Sequence, residues 1–341
     1  YSVNGLDANG NFDCTALPIW TESLATNLGF VFAECNKAGV ADPKARSLAA
    51  PHAKAADITA QVDAALAAAG RFGERDLTTV FVGVNDVMEL YKQYPQSTEA
   101  ALMAEAARRG VLVAQQVNRL IALGTKVIVV NLPDLGYTPF AIKEKQLYSD
   151  TDRAALLSRL VAAFNQNLGV SILLDGRYVG LVQLDQRSQV LARAGTSFGF
   201  TDVIDPVCAV ALPGCTTATL VPGGTAKGYL WADDRWFAPG GQALLTLSLK
   251  RSGQAPGDVT ADQMERAADL ADRFSHGELR VTHEQNLLLP WVHENQLRAL
   301  WQAVREAGFA TPNIGLLTDM IACPGGDLCG LANARSLPVA A

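Results

Sequence analysis

The chain has 341 residues, 49% of them hydrophobic and 18% charged, with a net charge of −6 and no basic block. This is globular composition, with enough apolar residues for one large core or two smaller ones. Nucleic acid is excluded as a partner because binding it needs clustered Lys and Arg. No apolar run approaches the roughly 18 residues that argue for a membrane-spanning helix, so no span is expected. No charged-then-apolar leader pattern follows Tyr1.

Along the chain, an amphipathic helix is expected around residues 20–28 and an Ala-rich helix over 55–72. Residues 78–84 read as a short apolar strand ending in Asn85-Asp86. A long helix over 98–123 closes at Gly124. The run KVIVVN at 126–131 is a buried strand, left through Leu132-Pro133-Asp134-Leu135-Gly136. Another helix is expected over 151–169 and a third strand over 178–184. Strands alternating with helices argue for a parallel sheet covered by helices. In such sheets functional groups collect at the carboxyl ends of strands, where Asn85 and Asp134 stand.

Residues 250–260, KRSGQAPGDVT, form the best linker. A different pattern follows: a helix over 261–274, a partly alternating strand-like stretch over 278–289, a helix over 294–307, then a cysteine-bearing turn. The predicted domains are 1–249, a linker at 250–258, and 259–341.

The six cysteines form three pairs of different character. Cys14 with Cys35, and Cys208 with Cys215, are candidates for short-loop disulfides in an oxidising compartment. Cys323 and Cys329, spaced C-x5-C in a Pro/Gly turn, have ligand-like spacing that requires free thiolates. Two unpartnered thiols, or half of a zinc site, are the alternatives for that pair. One compartment does not suit both demands, and the chain reads as composite.

Gly83-Val84-Asn85-Asp86 follows a strand directly. A Gly amide and an Asn carboxamide can both donate to a developing oxyanion. The plainer reading is a strand-end turn. The segments VVNLPDLGYTP (129–139), FGFTDVIDPVCA (198–209) and YLWADDRWFAPGGQALL (229–245) add to it. Together they resemble the GDSL (SGNH) ester-hydrolase family, in that family's order, over about residues 1–247. The resemblance implies a flavodoxin-like three-layer α/β/α domain with a parallel sheet, acting on a small ester or lipid without a cofactor. It places Gly83 and Asn85 as oxyanion residues and Asp233 as the acid of an Asp-x-x-His pair.

The departures are as informative. No Gly-Asp-Ser nucleophile motif is present, and Tyr1-Ser2-Val3 resembles the stretch just after it. Trp236 stands where the His belongs, and Gln242 where a second His is common. Indole has no basic nitrogen and cannot take a proton from a serine. His52 reads as a surface residue. Gly195-Thr196-Ser197-Phe198-Gly199 fits the G-x-S-x-G elbow, but that motif needs a strand before it and a helix after it, and neither is expected.

LRVTHEQNLLLPWV (279–292) and TPNIGLLTDMIACPGGDLCGLANARSLPVA (311–340) resemble the siroheme sulfite/nitrite reductase family, over about residues 257–341. The resemblance implies a ferredoxin-like α+β half-module. Cys323 and Cys329 match the first two of four cysteines holding a 4Fe–4S cluster next to siroheme, and Arg280 the arginine facing siroheme and its anionic substrate. The second cysteine pair has no counterpart, so siroheme and cluster are implied but not expected to be retained. His283 and Gln285 share the Arg280 strand; His276 and His293 read as solvated.

The expectation is therefore a GDSL-type esterase lineage joined to a sulfite/nitrite reductase fragment, impaired as it stands. The alternatives are a reductase component binding siroheme and a 4Fe–4S cluster, and a non-catalytic pseudo-hydrolase. Secretion or the periplasm is expected for the hydrolase-like part, the cytoplasm for the other.

Overall fold

The computed structural model describes residues 5–6, 12–13, 19–36, 38–69, 71–173, 177–212, 214–238, 245–247, 259–282 and 285–310. It divides into two compact units, residues 1–25 with 30–240, and 241–341 with 26–29.

The first unit is built on three parallel strands in the order β3-β4-β5: β3 (Leu77–Val80), β4 (Lys126–Val130) and β5 (Val179–Val182). The register sets Val80 beside Val129, and Val129 beside Leu181. β-Branched residues dominate β3 and β4 because they fit a pleated surface packed on its faces. Ahead of the sheet come two short paired strands, β1 (Gly5–Leu6) and β2 (Phe12–Asp13), and the helices α1 (Trp20–Asn27) and α2 (Ile58–Ala69).

Two long helices form the bulk of the core. α4 (Glu99–Ala122) is capped by the Thr98 hydroxyl, which accepts from the Ala101 amide at 3.3 Å, and α6 (Arg153–Ser171) by Asp152, which accepts from Ala155 at 3.0 Å. They pack closely at Gly110, where an added Cβ would lie 2.3 Å from the Phe164 carbonyl oxygen. Val113, Val117, Leu120, Val129, Leu157, Leu160 and Phe164 are buried in this cluster.

Three helices escape the sequence reading: α3 (Val84–Tyr91), α5 (Pro139–Leu147) and α7 (Leu184–Ala194). α3 and α5 begin after strand-exit loops whose Gly, Pro, Asn and Asp residues look like turn punctuation, and α7 begins one residue after β5. α7 also leads straight into the G-x-S-x-G stretch. That stretch thus follows a helix and precedes strand β6 (Asp202–Pro206), the reverse of a nucleophile elbow. β6 pairs in parallel with β7 (Tyr229–Trp231), and Cys208 and Cys215 are joined by a disulfide. Cys35 is also disulfide-bonded; Cys14 lies outside the described residues.

The second unit holds a three-stranded antiparallel sheet in the order β8-β10-β9, from β8 (Leu245–Leu247), β9 (Arg280–Val281) and β10 (Leu287–Leu289). The stretch read as one strand over 278–289 is thus a hairpin. Helices α8 (Ala261–Phe274) and α9 (Leu297–Ala307) pack with the sheet around Leu270, Phe274, Leu287, Leu289, Leu300 and Val304. α8 starts in a capping box, Thr260 with Gln263. No helix among the described residues is long and apolar enough to cross a membrane.

Candidate functional site

β3 ends at Val80, and the chain crosses Phe81-Val82 to reach Gly83, the residue before α3. Gly83 has φ +126°, a backbone conformation closed to most side chains. A Cβ there would lie 2.4 Å from the buried Phe164 ring. Glycine is therefore required twice, by its dihedral and by its neighbour. Asn85 then falls in the first turn of α3, where backbone N–H groups lack helical partners.

The Asn85 carboxamide donates to the Ala53 carbonyl at 2.9 Å, which commits one of its two N–H groups and fixes its plane. The segment carrying Ala53 is itself clamped. Asp86 accepts from the Ala55 amide at 2.9 Å and pairs with Arg109 at 3.2 Å, while Arg109 also reaches Glu89 at 2.9 Å. Lys54 closes the group by pairing with Glu89. Burial pushes the Asp86 carboxyl above its ordinary value, opposed by the Ala55 amide and Arg109. Lys54 and Arg109 hold Glu89 below its own ordinary value. His52, next to Ala53, is exposed and has φ +63°. Sequence reasoning missed Ala53 and Arg109, because nothing local marks a backbone carbonyl or a helix-face arginine as a support.

Asp233 and Trp236 lie in a tight turn after β7. Asp233 Oδ1 accepts from the Arg235 amide at 2.9 Å and the Trp236 amide at 2.7 Å. Burial raises the Asp233 carboxyl, the two amides offsetting part of the effect. Trp236 packs edge-on against Phe81 with ring centroids 6.5 Å apart, and the Phe140 amide donates to the Asp234 carbonyl at 2.9 Å. The Asp233 turn is therefore tied both to Phe81, at the exit of β3, and to the start of α5.

Asp134, the other strand-end acid, is buried. It accepts from Ser158 Oγ at 2.6 Å, Gln189 Nε2 at 2.7 Å and the Gly136 amide at 3.0 Å. Its lone pairs are spent on holding the loop after β4, so it is a structural acid.

Chemically, the stretch after β3 carries the Asn85 carboxamide and, at Phe81, an aromatic contact to Trp236. Ser2 and Gln242 lie outside the described residues.

In the second unit Arg280 sits on β9 and is half-buried. Its Nε donates to Glu278 Oε1 at 2.5 Å, the Trp291 indole donates to Glu278 Oε2 at 2.6 Å, and the guanidinium lies 5.9 Å from the Trp291 ring. The Trp291 indole and Arg280 together hold the Glu278 carboxyl below its ordinary value. Gln285 has φ +55° and Trp291 φ +62°, so the loops on either side of β10 hold unusual backbone conformations. His276 and His293 are exposed. His283, Cys323 and Cys329 lie outside the described residues. Among the described residues no group of three or more His, Cys, Asp or Glu side chains is placed to hold a metal ion.

Residues 252–307 match the family model described as the nitrite/sulfite reductase ferredoxin-like half domain. The chain is similar to the chloroplastic ferredoxin–nitrite reductase of Arabidopsis thaliana, 38% identical over 104 residues, 30% of this chain and 18% of that protein. It is similar to the Betula pendula enzyme, 38% identical over 88 residues, 24% of this chain and 15% of that protein. The Spinacia oleracea enzyme is 37% identical over 89 residues, 24% of this chain and 15% of that protein. The chain thus spans less than a fifth of the length of these relatives. It is a mixed α/β chain with parallel sheets, and it carries at residues 252–307 a nitrite/sulfite reductase ferredoxin-like half domain.

Proposed function

We propose that the second unit is a component of a nitrite or sulfite reductase and that Arg280 is its anion-facing side chain. The observation that carries this is the half-domain match across residues 252–307, which contains Arg280 on a strand of the unit's sheet. A guanidinium stays charged and binds oxyanions in a forked geometry. Here it is held in place by Glu278 and stacked near Trp291. Siroheme, where bound, supplies the electron-transfer chemistry. Among the described residues, Arg280 is the cation the resemblance would turn toward it. The test is reconstitution of the full chain with siroheme, followed by absorbance and nitrite titration. Bound siroheme whose spectrum shifts with nitrite or sulfite is expected, with the shift weakened in Arg280→Ala. A colourless protein after reconstitution overturns the reading.

For the first unit we propose a GDSL-type hydrolase lineage, over residues up to about 240, in which Trp236 stands in the place of the base and the unit binds its ligand rather than cleaving it. The contact of Trp236 with Phe81, two residues before Gly83, and the seating of Asp233 in the same turn as Trp236 support this. The ligand class is a small ester or lipid whose carbonyl meets the amide donors. The Cys208–Cys215 disulfide favours an oxidising compartment for this unit. Fluorophosphonate labelling and p-nitrophenyl ester cleavage are expected to be absent. A folded variant carrying an added N-terminal Gly-Asp-Ser segment and Trp236→His is expected to gain cleavage; its failure to do so counts against the lineage.

A further inference from the structure

We propose that the Cys208–Cys215 disulfide is a redox-addressable brace on the Asp233–Trp236 turn. The inference rests on the hydrogen bonds and the crosslink around the turn and holds whatever the turn binds.

The connection runs through consecutive hydrogen bonds. Beyond the paired β6 and β7, the Val207 amide donates to the Trp231 carbonyl at 3.0 Å and the Cys208 amide to the Ala232 carbonyl at 2.9 Å. Cys208 is therefore the last rung holding the residue before Asp233. On the other side of that rung, the Ala232 amide donates to the Trp236 carbonyl at 2.6 Å, and the Trp236 amide to Asp233 Oδ1 at 2.7 Å. The turn closes on itself, with Cys208 one of its supports beside the Phe140–Asp234 bond and the Phe81–Trp236 contact.

What holds Cys208 is its own loop. Cys208 bridges to Leu220, and the Ala209 amide donates to the Thr219 carbonyl at 2.9 Å. The disulfide to the buried Cys215 ties the loop back to its first residue. The apolar support beneath is small: Val207, Ala232 and Ala238, with Leu212, Leu220 and Val221 against them. A register irregularity between Asp202 and Pro206 leaves the β6–β7 ladder short of regular rungs just before this point. Without the crosslink, the loop over 209–219 gains conformational freedom and the terminal rung frays first.

The chemistry is a thiol–disulfide exchange. A dithiol reductant donates two electrons and two protons; its thiolate attacks one sulfur, the Cys208–Cys215 bond breaks, and the mixed disulfide resolves to two protein thiols and an oxidised dithiol.

The test is amide hydrogen exchange on the full chain, oxidised and after dithiothreitol, with thiols counted to verify reduction. Exchange at Cys208, Ala232 and Trp236 is expected to accelerate by roughly tenfold or more, with β4 amides unchanged. Cys35 is in a separate disulfide, so Cys208→Ser/Cys215→Ser assigns the effect: it reproduces the acceleration without reductant. Unchanged exchange at those three amides in the reduced wild type overturns the brace, as does equal acceleration in β4. If the double variant does not fold, partial reduction resolved by peptide mapping decides, since acceleration must follow the Cys208–Cys215 thiols and not Cys35.

Discussion

Trp236 packs edge-on against Phe81, with ring centroids 6.5 Å apart, and this contact sets a turn that follows β7 at the carboxyl end of β3. Trp236 thus helps anchor the turn, since a large aromatic ring buries much apolar area.

The Gly83 position tolerates no side chain. Gly83→Ala sets a methyl 2.4 Å from a buried Phe164 carbon and asks alanine to hold φ +126°. Backbone strain and overpacking each cost about 1–3 kcal/mol. The expected outcome is a loss of stability of about 3 kcal/mol or more in urea denaturation. A loss below about 1 kcal/mol would show that α3 and Phe164 shift freely, against the close packing of this junction.

Asp233 gives a pH signature. Its native carboxyl is raised above the ordinary 3.8 by burial. An acid whose native pKa exceeds its unfolded value binds its proton more tightly when folded, so ionising it costs stability as pH rises from 3.8 through the native value. Asp233→Asn keeps a carbonyl acceptor for the Arg235 and Trp236 amides without the charge. It is expected to melt at or above the wild type at pH 7, with the two curves converging below the ordinary carboxyl range. Asp233→Ala loses the acceptor and is expected to be about 1 kcal/mol less stable than Asp233→Asn at every pH. An Asp233→Asn protein that melts below wild type at neutral pH would contradict the assignment.

Ser275 is fully buried after α8, and its hydroxyl donates to the Pro290 carbonyl beyond β10. Ser275→Ala leaves that carbonyl without its donor, at a cost of about 1–3 kcal/mol. The loss is expected in the second unit, read as faster exchange of the α8 amides, with α4 and α6 unaffected. Slowing or no change in α8 would mean that the contact carries no net stability.

What could be read from the sequence follows the strength of local signals. β4 stands out because Val127–Val130 is a continuous apolar, β-branched run, and α4 because its pattern holds over 24 residues. α3 does not, because Gly83-Val84-Asn85-Asp86 is as good a turn as it is a helix start, and the burial of Val84, Val87, Met88, Leu90 and Tyr91 favours the helix. Asn85 and Asp233 were identifiable by motif. The Ala53 carbonyl that holds Asn85 and the Phe81 ring that seats Trp236 were not, since each pairing joins residues far apart in the chain. The hairpin between β9 and β10 was hidden for the opposite reason: Glu278–Leu289 alternates well enough to pass for a single strand, and its turn residues give no Gly or Pro signal.

Arg109 is the support furthest from the sequence motif and the most sensitive to removal. Its side chain is 14% exposed and faces Asp86, which is 2% exposed. Arg109→Met takes away the cation and leaves an acid buried with one backbone donor, the Ala55 amide. Removing one partner of a buried pair costs about 3 kcal/mol or more. Since Asp86 also tethers the segment that positions Ala53, the Asn85 side-chain amide resonances are expected to shift and broaden. Asp86→Asn in the Arg109→Met background removes the unpaired charge and is expected to recover about half of the lost stability. A double-mutant cycle measures that coupling. Additive effects of the two substitutions, with an unmoved Asn85 amide, would show that the Asp86–Arg109 pair does not position the site.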